Sequence, residues 1–327
     1  MSTAWHQLLA LPATREKRGW PAYVAILAVG ALLWRLSATR PASVPPWLPW
    51  DFSPSFYMAA ALTLFWFGRG LALTPASERP ALWRSVAFLL GVAAIWAVLQ
   101  TRFEYWSQHM FFLNRIQHVV MHHVGPFLVA LGGAGGVVRR GMPPRLRQIA
   151  DSAPAAIALR IVQQPVLAAV LFVGLFCFWL VPAVHFRAMI DPRLYALMNW
   201  SMVLDGILFW CLVLDPRPRP PARLSYGVRA ALVLGVMFPQ IALGAVVTFS
   251  RTDLYPYYDL CGRLFATVSP LNDQHVGGIV IWIPPAMMSV IGLLLVVNAL
   301  RLHEEATTET SDGAAALAKL ASSWTGR

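Results

Sequence analysis

Apolar residues run along this chain in windows about as long as a bilayer is thick, separated by short polar or proline-rich stretches. A helix needs ~20 predominantly apolar residues to cross the hydrocarbon core. Eight windows meet that length, near 20–38, 54–73, 82–100, 114–133, 157–181, 195–214, 229–249 and 275–300. Lipid offers no hydrogen bonds to exposed backbone, so each window predicts a helix. The expected fold class is all-α, a polytopic transmembrane bundle of about eight spans. Prolines clustered at 41–54, 143–144 and 216–221 mark loops between them. Three parts follow: an N-terminal segment at 1–19, a transmembrane helical domain at 20–300 and a tail at 301–327. The tail is rich in Ala, Thr and Glu and reads as a mobile or weakly helical end. Residues 1–19 are polar and basic, and the first window is long enough to stay as an anchor, so no cleavable signal is expected.

Charge sets the expected orientation. Cytoplasmic loops carry the excess of Lys and Arg. With the N-terminus inside and eight alternating spans, most of the 26 basic residues fall on the cytoplasmic side. They include Arg15, Lys17 and Arg18, then Arg139, Arg140, Arg145 and Arg147, then Arg217, Arg219 and Arg223. Both termini are therefore expected inside. Composition agrees with a membrane protein: 57% hydrophobic, 13% charged and a mean hydropathy of +0.57, against ~25% charged in a soluble domain. The net charge of +11 reflects this bias and attraction to a lipid bilayer, so no nucleic-acid partner is expected. Cys177, Cys211 and Cys261 are scattered without a CxxC and suggest neither a disulfide framework nor a thiol metal site.

Polar residues inside the windows carry the candidate chemistry, because they are costly at membrane depth. The fourth window holds QHVVMHHVGP from Gln117 to Pro126. Asn114, His118 and His122 recur at i, i+4 and i+8, which puts them on one helix face. Met121 sits beside His118, and His123 is turned by about 100° from His122. Imidazole with thioether suits copper better than a hard cation. One helix can offer two nitrogens, so a complete site needs ligands from elsewhere. His275 opens the eighth window at similar depth, with Asp273 near it. His109 and His185 lie in outer segments and could close the site, although a solvated loop residue is the commoner role. Asp205, midway along the sixth window, could pair with the histidine helix, move protons or bond within its own helix. The metal candidates are thus His118, His122, His123, His275 and Met121, with His109, His185, Asp205 and Asp273 in support. The spacing also matches one histidine box of membrane di-iron enzymes, but that chemistry needs several boxes on the cytoplasmic side.

Three motifs extend the argument. Gln117–His118 through Pro126 to Gly132 is similar to the QHxxLxxxxPxLLxLG core of the polytopic CtaG-type cytochrome c oxidase assembly proteins. Asp273-Gln274, Gly277-Gly278 and Trp282-Ile283-Pro284 resemble that family's DQxxGGxxMWxP signature. Trp179-Leu180-Val181-Pro182 and Leu208-Phe209-Trp210 resemble its WHLP and LLFW. Order and spacing agree over roughly residues 50–300. The chain departs from the family where histidine is common: Asn114, Leu180, Tyr195 and Asn199 stand at those positions, while His122, His185 and His275 are additional. The resemblance implies an assembly role rather than an enzyme, in the bacterial cytoplasmic membrane. Copper would be the cofactor or cargo, held by a periplasm-facing histidine site. Oxidase subunits or a periplasmic copper chaperone would be the partners. Two alternatives stay open: a copper or small-solute transporter, and a metal-free assembly partner of the oxidase.

Overall fold

The computed structural model describes residues 19–325, with side chains through Thr310. The N-terminal segment expected at 1–19 falls almost wholly outside the described residues. The described chain is helical, with no strand. Six helices are long and apolar enough to cross a membrane, and two bent helix pairs raise the number to as many as eight. The straight spans are α1 (Trp20–Thr39), α2 (Pro54–Leu73) and α3 (Leu82–Leu99). A short α4 (Arg102–Ser107) follows. The fourth window becomes α5 (Phe111–Val119), a π-turn (Val120–Val124) and α6 (Gly125–Gly132). Gly133 ends it in the left-handed region, at φ 60°, where glycine carries no steric penalty. Next come α7 (Gly135–Gly141), bent 75° from the fourth span, and α8 (Pro144–Ala150).

The fifth window differs from its expected single span. It divides into α9 (Ala153–Val162) and α10 (Pro165–Leu180), bent by 69°. Proline restricts the residue before it to extended backbone, and Gln164 is extended there and caps α10 through the Leu167 N–H. Beyond lie α11 (Pro182–Ile190), α12 (Pro192–Val213), α13 (Tyr226–Phe249), α14 (Tyr257–Cys261) and α15 (Pro270–Thr325). Helix α15 runs past residue 300 without a break, because Ala, Glu, Leu and Lys all favour helix.

The fourth span sits centrally. It packs on α3 along one side, α12 along another and α15 along its first half. Helices α13 and α15 form the most extensive pair. The bundle has two distinct ends. At one, Arg140 pairs with Glu78, Arg223 donates to the Leu159 carbonyl and Arg229 donates to the Arg217 carbonyl. That end closes over an apolar core that includes Phe127, Phe172, Phe209, Trp210 and Val233. At the other end the polar side chains of the fourth span are buried, under a second core that includes Phe111, Met121, Phe176, Met198, Met202 and Tyr258.

Candidate functional site

The QHVVMHHVGP segment owes its shape to Pro126. Proline has no N–H, so it cannot bond the carbonyl of His122 four residues back. The chain widens instead. The Gly125 N–H reaches Val120, five residues back, which makes a π-turn, a feature often found at functional sites. The freed His122 carbonyl lies against Gly206 of α12, where any Cβ would overlap it. The π-turn carries both His122 and His123. Their rings are neighbours, 4.7 Å apart between centroids and edge-on, and both pack on Phe172.

Each of these imidazoles is held by a different helix. His122 Nε2 lies 3.1 Å from Asp205 Oδ2, on α12. With Asp205 ionised, its carboxylate accepts and the Nε2–H donates. His123 Nε2 lies 3.3 Å from Gln240 Oε1 of α13 and donates in the same way. Both Nδ1 atoms are buried and unpartnered. A metal-binding histidine commonly has its second nitrogen bonded to a carboxylate or carbonyl in this fashion, which fixes the tautomer and points the lone pair.

His118 is also buried, with neither ring nitrogen partnered. Its ionisable neighbours are Arg115, His185 and His122. Met121 is fully buried in the surrounding core. His185 of α11 is bonded at 2.9 Å to Tyr258. Burial, then the charge of Arg115, holds its imidazole well below the usual histidine range, so it is neutral. Among the described residues, no three His, Cys, Asp or Glu side chains are gathered tightly enough to hold a metal ion as they stand.

The remaining candidates have other duties. His275 Nε2 bonds the Ser250 carbonyl at 3.0 Å, which turns it to the end of α13. His109 bonds the Gly262 carbonyl at 2.9 Å on an exposed loop. Asp273 accepts the first two N–H groups of α5, from Phe111 at 2.9 Å and Phe112 at 2.8 Å, and pairs with Arg263. It is a helix cap supplied from α15. Gln274 accepts the Leu254 N–H at 2.7 Å and donates to the Thr252 carbonyl at 3.1 Å. Gly278 admits the Thr248 backbone, and Trp282 lies across Gly244. The downstream motif is therefore the joint between α5, α13 and α15. Gln117 is structural too: its side chain bonds Ser107, Tyr195 and the Val98 carbonyl.

A family model described as cytochrome c oxidase caa3 assembly factor (Caa3_CtaG) matches residues 63–301. The chain belongs to this family. Its QH and DQ motifs both lie inside the matched region, and both are built into the interhelical joints described above. Uncharacterized proteins of Mycobacterium bovis and Mycobacterium tuberculosis are each 26% identical over 217 residues, covering 61% of this chain and 31% of the relative. A Mycobacterium leprae protein is 26% identical over 218 residues, with the same coverage. The chain thus spans about a third of the length of these curated relatives. No solved structure matches it.

Three positions where the resemblance leads one to expect histidine have other partners here. Tyr195 donates to Gln117 at 3.3 Å, Asn114 bonds the Met189 sulfur at 3.9 Å and Leu180 packs in the core. Sequence reasoning missed Gln240, Gly206 and Tyr258. Gly206 alone had a visible signal, a glycine directly after the intramembrane Asp205.

Proposed function

We propose that this chain takes part in assembling cytochrome c oxidase in a bacterial cytoplasmic membrane, and that it does so by holding copper in transit at His122 and His123. The observation that carries the copper reading is the tautomer control: Asp205 and Gln240 each occupy one nitrogen and leave a buried, unpartnered Nδ1. His118 and Met121 supply further donors in the same region, and the thioether favours Cu(I). An incomplete donor set fits cargo better than a resident metal, because the missing ligand comes from the donor or acceptor protein and leaves with it. His275 would join only by releasing the Ser250 carbonyl. With the basic end inside, the histidine end faces the periplasm, where an oxidase subunit or a copper chaperone would exchange the ion.

Membrane transport is the weaker alternative, because the basic end of the bundle closes over apolar residues such as Phe209, Trp210 and Val233. A metal-free assembly role is favoured by one observation, the lack of three gathered ligands among the described residues. Copper content decides between them. The detergent-purified protein is loaded with Cu(I) beside His122→Ala/His123→Ala and His118→Ala. Near-stoichiometric copper lost in the double variant supports the site. A folded wild type that retains none leaves the metal-free assembly role.

A further inference from the structure

The basic end of the bundle holds a cavity of about 450 Å³ that plays no part in the histidine site. It is lined by Arg139 and Arg140 of α7, Arg147, Pro144 and Gln148 of α8, Gly136 and Asp151. Arg139 is paired with Asp151, and Arg140 with Glu78, which does not line the cavity. Arg147 has no carboxylate partner among the described residues. Three guanidiniums thus face two carboxylates, which leaves one positive charge for a ligand to neutralise.

The surroundings state what kind of ligand reaches it. Helices α7 and α9 both turn sharply away from the spans they adjoin, by 75° and 69°. The connecting stretch carries large apolar side chains on its surface: Leu146 and Ile149 on α8, then Ile157, Leu159 and Ile161 on α9. Such side chains interleaved with arginine are the pattern of a segment lying in the headgroup layer, apolar face toward the acyl chains. A basic cavity at that depth meets phosphodiester headgroups before it meets anything dissolved in water. Guanidinium is also well matched to phosphate, since it presents several donors in one plane.

We infer that this cavity is a binding site for the phosphodiester of an anionic phospholipid, held by Arg139, Arg140 and Arg147, with the acyl chains running along the apolar faces of α8 and α9. The phosphodiester supplies the missing negative charge. The lipid would anchor the α7–α9 turn against the bilayer.

Native mass spectrometry of the intact chain tests this, with phosphatidylglycerol titrated against phosphatidylcholine of the same acyl chains. Wild type is compared with Arg139→Gln/Arg147→Gln. A control, Arg219→Gln/Arg301→Gln, removes the same charge from exposed positions outside the cavity. The expected result is phosphatidylglycerol bound about tenfold more tightly than phosphatidylcholine by wild type and control, with the preference gone in the cavity variant. Equal loss in both double variants, or equal affinity for the two lipids, overturns the site. Displacement of phosphatidylglycerol by millimolar inorganic phosphate overturns the lipid as its ligand. If the cavity double variant melts early, Arg147→Gln alone serves, because it breaks no ion pair.

Discussion

Replacing Asp273 tests whether the downstream motif is a helix joint. Its carboxylate is fully buried and accepts two backbone N–H groups of α5 at 2.9 and 2.8 Å. In Asp273→Ala both amides lose their acceptor where water does not reach. A lost N-cap costs ~0.5–2 kcal/mol, and a hydrogen bond to a charged group is worth ~1.5–3 kcal/mol. Arg263 keeps Asp259 and Asp253, so no bare cation is added to the cost. The expected loss is about 3 kcal/mol, with Asp273→Asn, which keeps one acceptor oxygen, falling about midway. Hydrogen exchange in nanodiscs reads it locally: the Phe111 and Phe112 amides should exchange on the order of 100-fold faster in the alanine variant. Tryptophan fluorescence should show a lower melting temperature, in the order wild type, asparagine, alanine. Unchanged exchange at both amides, with a wild-type melt, would refute the capping role and return Asp273 to the list of free ligands.

Three further outcomes are expected. Asp205→Asn removes the carboxylate that holds the His122 proton and should weaken Cu(I) binding by ~10–100-fold with the fold intact; isothermal competition with a Cu(I) chelator measures it, and unaltered affinity would detach Asp205 from the site. Gly206→Val pushes α12 off the His122 carbonyl and should destabilise by ~1–3 kcal/mol, read from thermal unfolding, whereas a wild-type melt would mean that the contact is slack. Glu104 is buried in α4, and burial, then the charge of Asp51, holds its carboxyl well above the usual carboxylate range. Its folded pKa is the higher one, so wild-type stability is greatest below the unfolded value of ~4.3 and falls as pH rises through the folded value. Glu104→Gln should therefore gain on wild type between pH 5 and pH 8, and a melting difference that does not change with pH would sink this.

The spans were legible because each window answers a local requirement, that a segment long enough to cross lipid satisfy its own backbone. The fifth window shows the limit of that rule: hydropathy sees one apolar run, while Pro165 breaks the backbone inside it. Asp205 was conspicuous as a charge in an apolar window, yet its partner was open. His122, 83 residues away, is found only by packing α12 on the π-turn. The expected pairing of His118 with His275 rested on equal depth. Depth does not fix the direction in which α15 is rotated, and that rotation brings Asp273 to α5 while it takes His275 to Ser250.

The helical membrane class, the position of the windows, the basic end and the concentration of imidazoles near Pro126 are all readable along the chain. These follow from composition and from the bonding of residues within about one helical turn. Packing alone makes the DQ motif a cap and clamp, gives His122 and His123 the shared neighbours Phe172 and Phe176, and leaves one nitrogen of each without a partner. Those facts depend on helix rotation and on partners tens of residues away, where the energy of a contact is set by the surfaces that meet and not by the spacing along the chain.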